Sequence, residues 1–341
     1  MKVLVAGGAG YIGSVVVSQL VQKGHEVVVF DNLCHGHADA VTAPARLVVG
    51  DVGDGAALDK VFGEFHPEAV MHFAAFIEAG ESMREPEKFF RNNTANALTL
   101  LEAMLAHGTR RFVFSSTAAL YGDPERTPIE EDDKLAPTNA YGESKLLVER
   151  MLAWFHRIHG FSAACLRYFN AAGATTTLGE RHNPETHLIP LILQVASGRR
   201  AHINIFGDDY PTPDGSCVRD YVHVSDLAAA HLLALEALSR AEQPVQLAYN
   251  LGSGKGFSVK EVIECVRRVT GHAIPAKVEP RRAGDPAVLV ASSEKIRREL
   301  GWQPRYGELE DIVRSAWEYV QKHGTSSTEV CHPERSHHQP R

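Results

Sequence analysis

The stretch KVLVAGGAGYIG, residues 2–13, decides the fold of this chain. Its first five residues form a short apolar run rich in valine, which is typical of a buried parallel strand. Gly7, Gly10 and Gly13 follow with the spacing GxxGxxG. The first glycine permits a tight turn, the second lets the backbone approach a pyrophosphate, and the third lets a helix pack closely on the sheet. The stretch therefore predicts a strand, a phosphate-binding turn and a helix over residues 11–23, whose amino-terminal amides point at the phosphates.

A second apolar run, HEVVVF at residues 25–30, ends at Asp31, 18 residues after Gly13. An acidic side chain at this position accepts hydrogen bonds from the adenosine ribose and repels a 2′-phosphate. A glycine motif alone is a weak signal, but strand, turn, helix, strand and acid at these spacings form one specific unit. The unit predicts binding of NAD in preference to NADP.

Further strand-like runs occupy residues 46–50, 69–75, 111–116 and 162–169, and a long helical pattern covers residues 86–107. Strands that alternate with helices are typical of a parallel sheet covered on both faces. We predict an α/β fold, a Rossmann-like doubly wound parallel sheet with a smaller mixed α/β substrate-binding lobe.

The regular alternation ends near residue 170, which sets the predicted domain boundary. We expect residues 1–170 to form the NAD-binding domain and residues 171–323 to form the substrate lobe, with some segments returning to the first domain. Helices are predicted in this half over residues 188–197, 224–238, 259–270, 293–300 and 308–323, and a strand over residues 202–206. Residues 324–341 are polar and lack a periodic pattern, which predicts a disordered tail.

Tyr141 and Lys145 lie four residues apart in the run YGESK, so on a helix their side chains project from one face. A free tyrosine, with a pKa of about 10, is a poor base at neutral pH. A fixed ammonium group nearby favours the phenolate and lowers that pKa, so the pair can act as a general base toward an alcohol and then as its acid. The same spacing is also typical of a tyrosine packed on a lysine side chain. The pair therefore indicates catalysis only in combination with the dinucleotide-binding unit.

Ser115, Ser116 and Thr117 lie at the carboxyl end of the strand predicted over residues 111–116. Open α/β sheets bind their ligands at this end of the strands, although serine and threonine are also ordinary turn residues. A hydroxyl group at a strand end, followed by the Tyr141–Lys145 pair and preceded by the glycine turn, is a specific combination for alcohol oxidation.

Composition sets the class of protein and excludes several others. The chain has 341 residues, of which 44% are hydrophobic and 23% charged, with a net charge of −7. These values are ordinary for a globular protein, and no basic run suited to nucleic acid appears. The sequence has no signal-peptide pattern and no apolar run of membrane-spanning length, and its five cysteines are irregularly spaced. We expect a soluble, reduced, cytoplasmic protein with no nucleic-acid or membrane partner.

Several motifs suggest a metal site, a phosphate loop or a further base, but each lacks a feature that such a site requires. The cluster at residues 34–37 (CHGH) follows the cofactor acid directly and lacks a second group of ligands, and His337 and His338 stand in the tail, so we expect no metal site. The run GSGKG at residues 252–256 lacks the first glycine and the final hydroxyl residue of a phosphate loop. His72, within an apolar strand, fits a core histidine better than a base.

Motifs shared with one known protein family extend over nearly the whole chain, from Lys2 to about His323. They are GGAGYIGS from Gly7, DNL from Asp31, GES from Gly80, NN at Asn92, FSSTAALYG from Phe114, YGESK from Tyr141, RYFNAAG from Arg167, IFGDDYPTPDGSCVRDYVHVSD from Ile205, YNLGSG from Tyr249 and PRRAGD from Pro280. With these motifs the chain resembles the extended short-chain dehydrogenase/reductase family and, within it, the nucleotide-sugar 4-epimerases.

The resemblance implies tightly bound NAD, a UDP-hexose substrate and reversible oxidation at the sugar C4, which would interconvert UDP-glucose and UDP-galactose. It implies that Tyr141 takes the proton of the 4-hydroxyl, that Thr117 hydrogen-bonds the 4-oxygen, and that Lys145 holds the nicotinamide ribose. It also implies a homodimer formed through the helices at residues 86–107 and 141–159.

The resemblance extends to individual binding positions. Those implied for NAD are Gly7, Gly10, Tyr11, Ile12, Gly13, Asp31, Asn32, Asp51, Val52, Phe73, Ala74, Ala75, Asn92, Lys145 and Tyr168. Those implied for the nucleotide sugar are Thr117, Tyr141, Asn170, His187, Leu188, Phe206, Arg219, Arg282, Asp285 and Leu289. The two arginines suit a diphosphate, because guanidinium groups pair phosphate oxygens bidentately, although each also suits a surface salt bridge.

Two positions depart from the best-known bacterial form, and alternatives remain open. Ile77 stands where that form has a lysine near the nicotinamide, and His187 where it has an asparagine beside the substrate. An epimerase acting on UDP-N-acetylglucosamine or a UDP-pentose is one alternative. A nucleotide-sugar dehydratase or decarboxylase would need an acid after Thr117, where Ala118 and Ala119 stand, and a non-catalytic dinucleotide sensor typically lacks the tyrosine or the lysine.

Overall fold

The computed structural model describes residues 1–282 and 284–323, so the predicted tail, with His337 and His338, lies outside the described residues. The strands, in chain order, are β1 (Lys2–Ala6), β2 (Glu26–Asp31), β3 (Arg46–Val49), β4 (Ala69–His72), β5 (Arg111–Thr117), β6 (Ser162–Tyr168), β7 (Asn170–Ala172), β8 (Ile203–Phe206), β9 (Val218–His223), β10 (Gln246–Leu251), β11 (Gly256–Ser258), β12 (Ala276–Glu279) and β13 (Val288–Leu289).

The α-helices cover much of the remaining chain. They are α1 (Tyr11–Gln22), α2 (Gly55–Phe65), α3 (Ala79–Ser82), α4 (Pro86–Phe89), α5 (Asn96–Ala106), α6 (Ala140–His159), α7 (Leu188–Ala196), α8 (Val224–Arg240), α9 (Val259–Thr270), α10 (Glu294–Leu300) and α11 (Leu309–His323). No helix in the described part of the chain is long and apolar enough to cross a membrane.

The central sheet has, among the described residues, seven parallel strands in the order β10-β6-β5-β4-β1-β2-β3. One face packs against α1 and α8 through a core that includes Val5, Val29 and Leu235. The other face packs against the helices α2, α5 and α6 through a core that includes Phe62 and Leu100. Helices on both faces of a parallel sheet confirm the predicted doubly wound α/β fold.

The remaining strands build the smaller lobe. β9 pairs with β7, β11 and β13, and β8 pairs with β12. Helices α7, α9 and α11 pack around a third core that includes Ile192, Val266 and Val313. The seventh strand of the central sheet, β10, comes from this second half of the chain, and α8 packs on the central sheet as well.

Several elements differ from the sequence-based predictions. The strand predicted over residues 69–75 ends at His72, because Phe73 and Ala74 turn to donate their backbone N–H groups to the carbonyl of Ala6, at 2.7 and 3.2 Å. The helix predicted over residues 86–107 is continuous but contains a π-helical segment, Phe90–Ala95. Helix α2 and strand β10 were not predicted, because their hydrophobic patterns are short.

Helix α6, which carries Tyr141 and Lys145, is tied to the sheet by a buried ion pair. Arg167 on β6 donates to both carboxylate oxygens of Glu149, at 3.0 and 2.6 Å, and the Ser116 hydroxyl donates to Glu149 at 2.6 Å. The side chains of Arg167 and Glu149 are only 6% and 9% exposed. Removing one member of such a pair leaves the other charge buried without compensation.

We predict that Glu149→Ala lowers the free energy of unfolding by about 3–5 kcal/mol, because the Arg167 guanidinium stays buried. Urea denaturation followed by circular dichroism measures the loss. Glu143→Ala on the same helix is the matched control, since Glu143 meets the exposed Arg150 at 3.6 Å and should contribute at most about 1 kcal/mol. Equal losses in the two variants would contradict the prediction.

Candidate functional site

The glycine turn after β1 is a site of close backbone approach. Gly7 has a φ of +79°, and a Cβ added to it would lie 2.3 Å from the backbone nitrogen of Ala74. A Cβ on Gly13 would lie 2.2 Å from the carbonyl oxygen of Gly7, whereas one on Gly10 would meet only that oxygen, at 3.4 Å. The backbone beside Gly10 is therefore free of protein side chains, as a phosphate cradle at the start of α1 requires.

Asp31 supports this turn from the end of β2. Its carboxylate accepts from the backbone nitrogen of Ala9 and from that of Leu33, both at 2.9 Å, and it is buried. Asn32 donates to Asp51 at 2.7 Å, which links the ends of β2 and β3. The acids predicted for the adenosine end thus lie at one edge of the sheet, and Val52 is buried in the core below them.

The loop after β4 forms the opposite wall. The Phe73 ring contacts the His231 ring of α8 at a tilted angle, with centroids 4.8 Å apart, and Ala74 lies against Gly7 as described. The next residues are held by Asn93, whose side-chain oxygen accepts from the Phe76 nitrogen and whose amide donates to the Phe76 oxygen, both at 2.9 Å. The sequence analysis missed Asn93 and named only its neighbour Asn92, although the NN pair was the available signal.

Asn92 lies in the π-helical segment and lines a surface cavity of about 500 Å³. This cavity is also lined by Asp51, Gly53, Asp54, Phe76, Lys88, Arg91 and Asn96. The π-helical turn sets Asn92 toward the cavity while Asn93 faces inward and donates to the Ser144 hydroxyl of α6 at 3.0 Å. Single π-helical turns frequently mark functional sites, and this one separates a cavity-lining residue from a supporting one.

Tyr141 is fixed at the first turn of α6. Asn139 caps the helix by accepting from the Gly142 nitrogen at 2.8 Å. The backbone nitrogen of Tyr141 donates to the hydroxyl of Ser82 at 3.0 Å. Ser82, in the GES motif, is a second supporting residue that sequence reasoning did not single out.

The pKa of Tyr141 differs in direction from the prediction. Burial raises the pKa of Tyr141 above its ordinary value, a hydrogen bond with Thr117 opposes that rise, and the carboxylate of Glu78 adds to it. The expectation that Lys145 lowers the pKa is therefore wrong for the protein chain by itself. The physical reason is that desolvation of a phenolate outweighs the neighbouring hydroxyl.

Lys145 is buried one turn further along α6. Its ammonium group lies 4.4 Å from the centre of the Phe114 ring. Burial lowers the pKa of Lys145 to about 7, and the Glu149 carboxylate opposes this effect. His72 stacks on Phe114 with centroids 5.9 Å apart, and burial, reinforced by Lys145, lowers the pKa of His72 to about 3. A neutral core histidine at residue 72 agrees with the prediction.

Thr117, which the family resemblance implies as a hydrogen-bond partner of the sugar 4-oxygen, lies at the end of β5. It is buried, pairs in register with Tyr168 of β6, and accepts from the Ala119 nitrogen at 3.1 Å. The Tyr168 hydroxyl makes a short hydrogen bond with that of Ser115. The structure thus brings Thr117, Tyr141 and Tyr168 to the carboxyl end of the sheet, where ligands of this fold bind.

The predicted diphosphate residues meet in the smaller lobe. Arg219 on β9 forms a close ion pair with Asp285, and Leu289 on β13 lies beside Arg219 in the parallel register. The guanidinium of Arg282 stacks on the Phe206 ring, 3.9 Å from its centre. Asn170 donates to the Asp220 oxygen of β9 at 3.2 Å.

His187 and Leu188 stand at the start of α7, Leu188 partly buried against the lobe core. His187 lies between Glu180 and Glu185, at 2.7 and 2.9 Å. Burial lowers the pKa of His187, but the two carboxylates outweigh it and raise this pKa to about 10. The sequence analysis named neither glutamate.

The site fits NAD on the geometry of its own residues. The bare backbone at Gly10 and the amino end of α1 suit the pyrophosphate, and the buried acid Asp31 suits an unphosphorylated ribose. Tyr11 and Ile12 begin α1, and the Tyr11 hydroxyl donates to the Gly173 oxygen at 2.5 Å, so its side chain is turned toward the smaller lobe. Ala75 follows Ala74 in the half-buried loop beside the turn.

Comparisons with known proteins agree with this geometry. A UDP-glucose 4-epimerase of Halalkalibacterium halodurans is 52% identical over 325 residues, 95% of this chain and 96% of that protein. One of Streptomyces lividans is 53% identical over 323 residues, 94% of this chain and 97% of that protein. A crystal structure of UDP-glucose 4-epimerase from Bifidobacterium longum in complex with NAD+ and UDP has a TM-score of 0.91 at 36% identity, covering 96% of this chain and all of that one. The model of the NAD dependent epimerase/dehydratase family matches residues 3–252, and the chain belongs to that family.

Proposed function

We propose that this chain is an isomerase that interconverts UDP-glucose and UDP-galactose with NAD, by transient oxidation at C4 of the sugar. The observation that supports the proposal is the contact of Thr117, at the carboxyl end of β5, with Tyr141, which lies one helical turn before the buried Lys145 on α6. The curated relatives of about 50% identity carry the name of this activity.

The chain's own residues supply the proton transfer. Tyr141 accepts the proton of the 4-hydroxyl as hydride leaves C4, and returns it when hydride comes back to the opposite face of the 4-keto sugar. Thr117, which hydrogen-bonds Tyr141, holds the 4-oxygen and relays the proton. Bound NAD supplies the hydride acceptor and, in its oxidised form, a positive charge that favours the Tyr141 phenolate. Lys145 holds the nicotinamide ribose from the helix turn below.

The division of labour follows the chain. We assign NAD binding and catalysis to residues 1–170 and nucleotide-sugar binding to residues 171–323, with β10 and α8 returning to the central sheet. Arg219 and Arg282 serve the diphosphate, since guanidinium groups pair phosphate oxygens bidentately, and Arg282 lies over the Phe206 ring while Arg219 pairs in register with Leu289. A dehydratase would need an acid where Ala118 and Ala119 follow Thr117, which favours epimerisation.

We also propose that this enzyme is a cytoplasmic homodimer. Leu98 on α5 and Trp154 and Ile158 on α6 are exposed apolar side chains on the two helical regions that the resemblance gives as the dimer interface. Burying such residues between two copies of the chain would remove apolar surface from water.

The first prediction concerns the base. Tyr141→Phe should keep the fold and the bound NAD but lower kcat about a hundred- to ten-thousandfold, because general acid–base catalysis is lost. Turnover of UDP-galactose to UDP-glucose measures the effect. Tyr306→Phe, the same change at a tyrosine that stacks on His223, is the matched control and should keep its rate. A near-normal rate in Tyr141→Phe would exclude this residue as the base.

The second prediction concerns the cofactor. The protein should purify with NAD bound and prefer NAD over NADP, because a 2′-phosphate would face the Asp31 carboxylate. Asp31→Asn keeps an acceptor for the Ala9 nitrogen but removes the charge, so it should reduce the preference by about tenfold or more, measured as the ratio of dissociation constants. Asp39→Asn, at an exposed acid paired with Arg181, is the control and should leave the ratio unchanged. A wild-type protein that prefers NADP would contradict the assignment.

The third prediction concerns sugar size. The family resemblance implies that Leu289 borders the 2-substituent of the sugar, where a leucine should crowd an N-acetyl group, so the enzyme should prefer UDP-glucose and UDP-galactose over their N-acetylated forms. Leu289→Ser should lower the ratio of kcat/KM for the unmodified sugars to kcat/KM for the N-acetylated sugars by about tenfold or more, mainly by raising the latter. Val288→Ser is the control, because neighbouring strand residues point to opposite faces. Equal kcat/KM for both sugar classes in the unaltered enzyme would refute the role of Leu289.

A further inference from the structure

The loop between β7 and α7 gathers four potential metal ligands, Glu180, His182, Glu185 and His187. One ligand atom from each side chain lies within 4.8 Å of the other three. Nδ1 of His187 is 2.7 Å from Oε1 of Glu180 and 2.9 Å from Oε1 of Glu185, and Nδ1 of His182 is 3.0 Å from Oε1 of Glu180. The four groups therefore converge on one point rather than project into solvent.

Burying the two carboxylates of this cluster costs free energy unless a positive charge lies close to them. The side chains of Glu180 and Glu185 are only 7% and 6% exposed. Two buried carboxylates this close together repel each other unless a positive charge lies between them, which either a protonated His187 ring or a bound metal ion can supply. Arg181, which follows Glu180 in the sequence, does not supply this charge, because its guanidinium pairs with Asp39 at 2.7 and 3.0 Å. In this loop, Arg181 is therefore paired with Asp39 away from the cluster, whereas Glu180 and Glu185 are buried within it.

The ligand types and spacing suit a zinc ion. Two imidazole nitrogens and two carboxylate oxygens form a tetrahedral set at bond lengths of about 2.0–2.2 Å, which places ligand atoms roughly 3.3–3.6 Å apart. The nitrogen–oxygen distances of 2.7–3.0 Å and the overall spread of 4.8 Å bracket that spacing, so small side-chain rotations would admit the ion. The backbone nitrogens of Thr186 and His187 donate to Oε1 of Glu185 at 2.7 and 2.8 Å, which orients this carboxylate.

The cluster lies between the two lobes of the site. The ring of Tyr11, at the start of α1, meets the ring of His182 edge-on with centroids 6.3 Å apart. The Tyr11 hydroxyl donates to Gly173, in the same loop, and His187 immediately precedes α7. An ion bound here would join the phosphate-binding turn to the start of α7.

We propose that Glu180, His182, Glu185 and His187 bind one Zn²⁺ ion, which fixes the β7–α7 loop and the position of His187 and Leu188 against the dinucleotide turn. The ligand pattern ExHxxExH differs from the usual zinc spacings, so sequence reasoning that looked for those spacings expected no metal. Zinc binding by this cluster does not depend on the proposed epimerase activity.

The test is zinc binding by the full-length protein, purified with its NAD, after treatment with a chelator and removal of that chelator. Isothermal titration with ZnCl₂ should give one site of this kind per chain, and zinc should raise Tm by several degrees, because the ion binds only the folded loop. Glu180→Gln keeps the size of the side chain and should weaken zinc binding more than tenfold, as should His182→Ala.

Two controls separate this site from other histidines. His159→Ala removes an exposed histidine at the end of α6, and the double variant His337→Ala/His338→Ala removes the pair in the tail; both should leave the affinity of the site unchanged. Circular dichroism and bound NAD verify folding of each variant. The proposal is overturned if the wild-type protein takes up no zinc, if Glu180→Gln binds zinc as tightly as wild type, or if only the tail variant loses binding.

Discussion

The close contact of backbone with backbone at the end of β1 is the constraint on which the site depends. Gly7 lies against Ala74 and Gly13 lies against Gly7, at distances that leave no room for a Cβ on either glycine. This contact joins the turn to the loop after β4 and seats α1 on the sheet. Asp31 then holds the same turn through the Ala9 nitrogen. A cofactor that lies across these strand ends is therefore bound by a surface whose backbone is already fixed.

Burial also shifts the pKa values of Tyr141 and Lys145, the residues proposed to carry the chemistry. Helix α6 places Lys145 over Phe114 and Glu149 beside Arg167, and both pairs are buried. Burial makes Tyr141 a weaker acid and Lys145 a weaker base than in water, so it disfavours the charged form of both side chains. In the proposed reaction, the positive charge of a bound oxidised nicotinamide would oppose this effect on Tyr141.

The two lobes are coupled by a few polar contacts around α1 and by the ligand-rich loop. The Tyr11 hydroxyl donates to the Gly173 oxygen, and the His182 ring meets the Tyr11 ring edge-on. These contacts place the start of α7 next to the dinucleotide turn. The proposed zinc ion in the loop would strengthen this coupling.

The sequence by itself determined the order of the strands in the first half, the glycine turn, Asp31 and the Tyr141–Lys145 pair, because each depends on local spacing and residue type. It did not reveal β10, which joins β6 across more than 70 residues of sequence, since a short strand gains its stability only from its partners. Nor did it reveal the support given by Asn93 and Ser82, the direction of the Tyr141 pKa shift, or the convergence of the glutamates and histidines of the β7–α7 loop. Burial and long-range contact decide these properties, and both exist only in the folded chain.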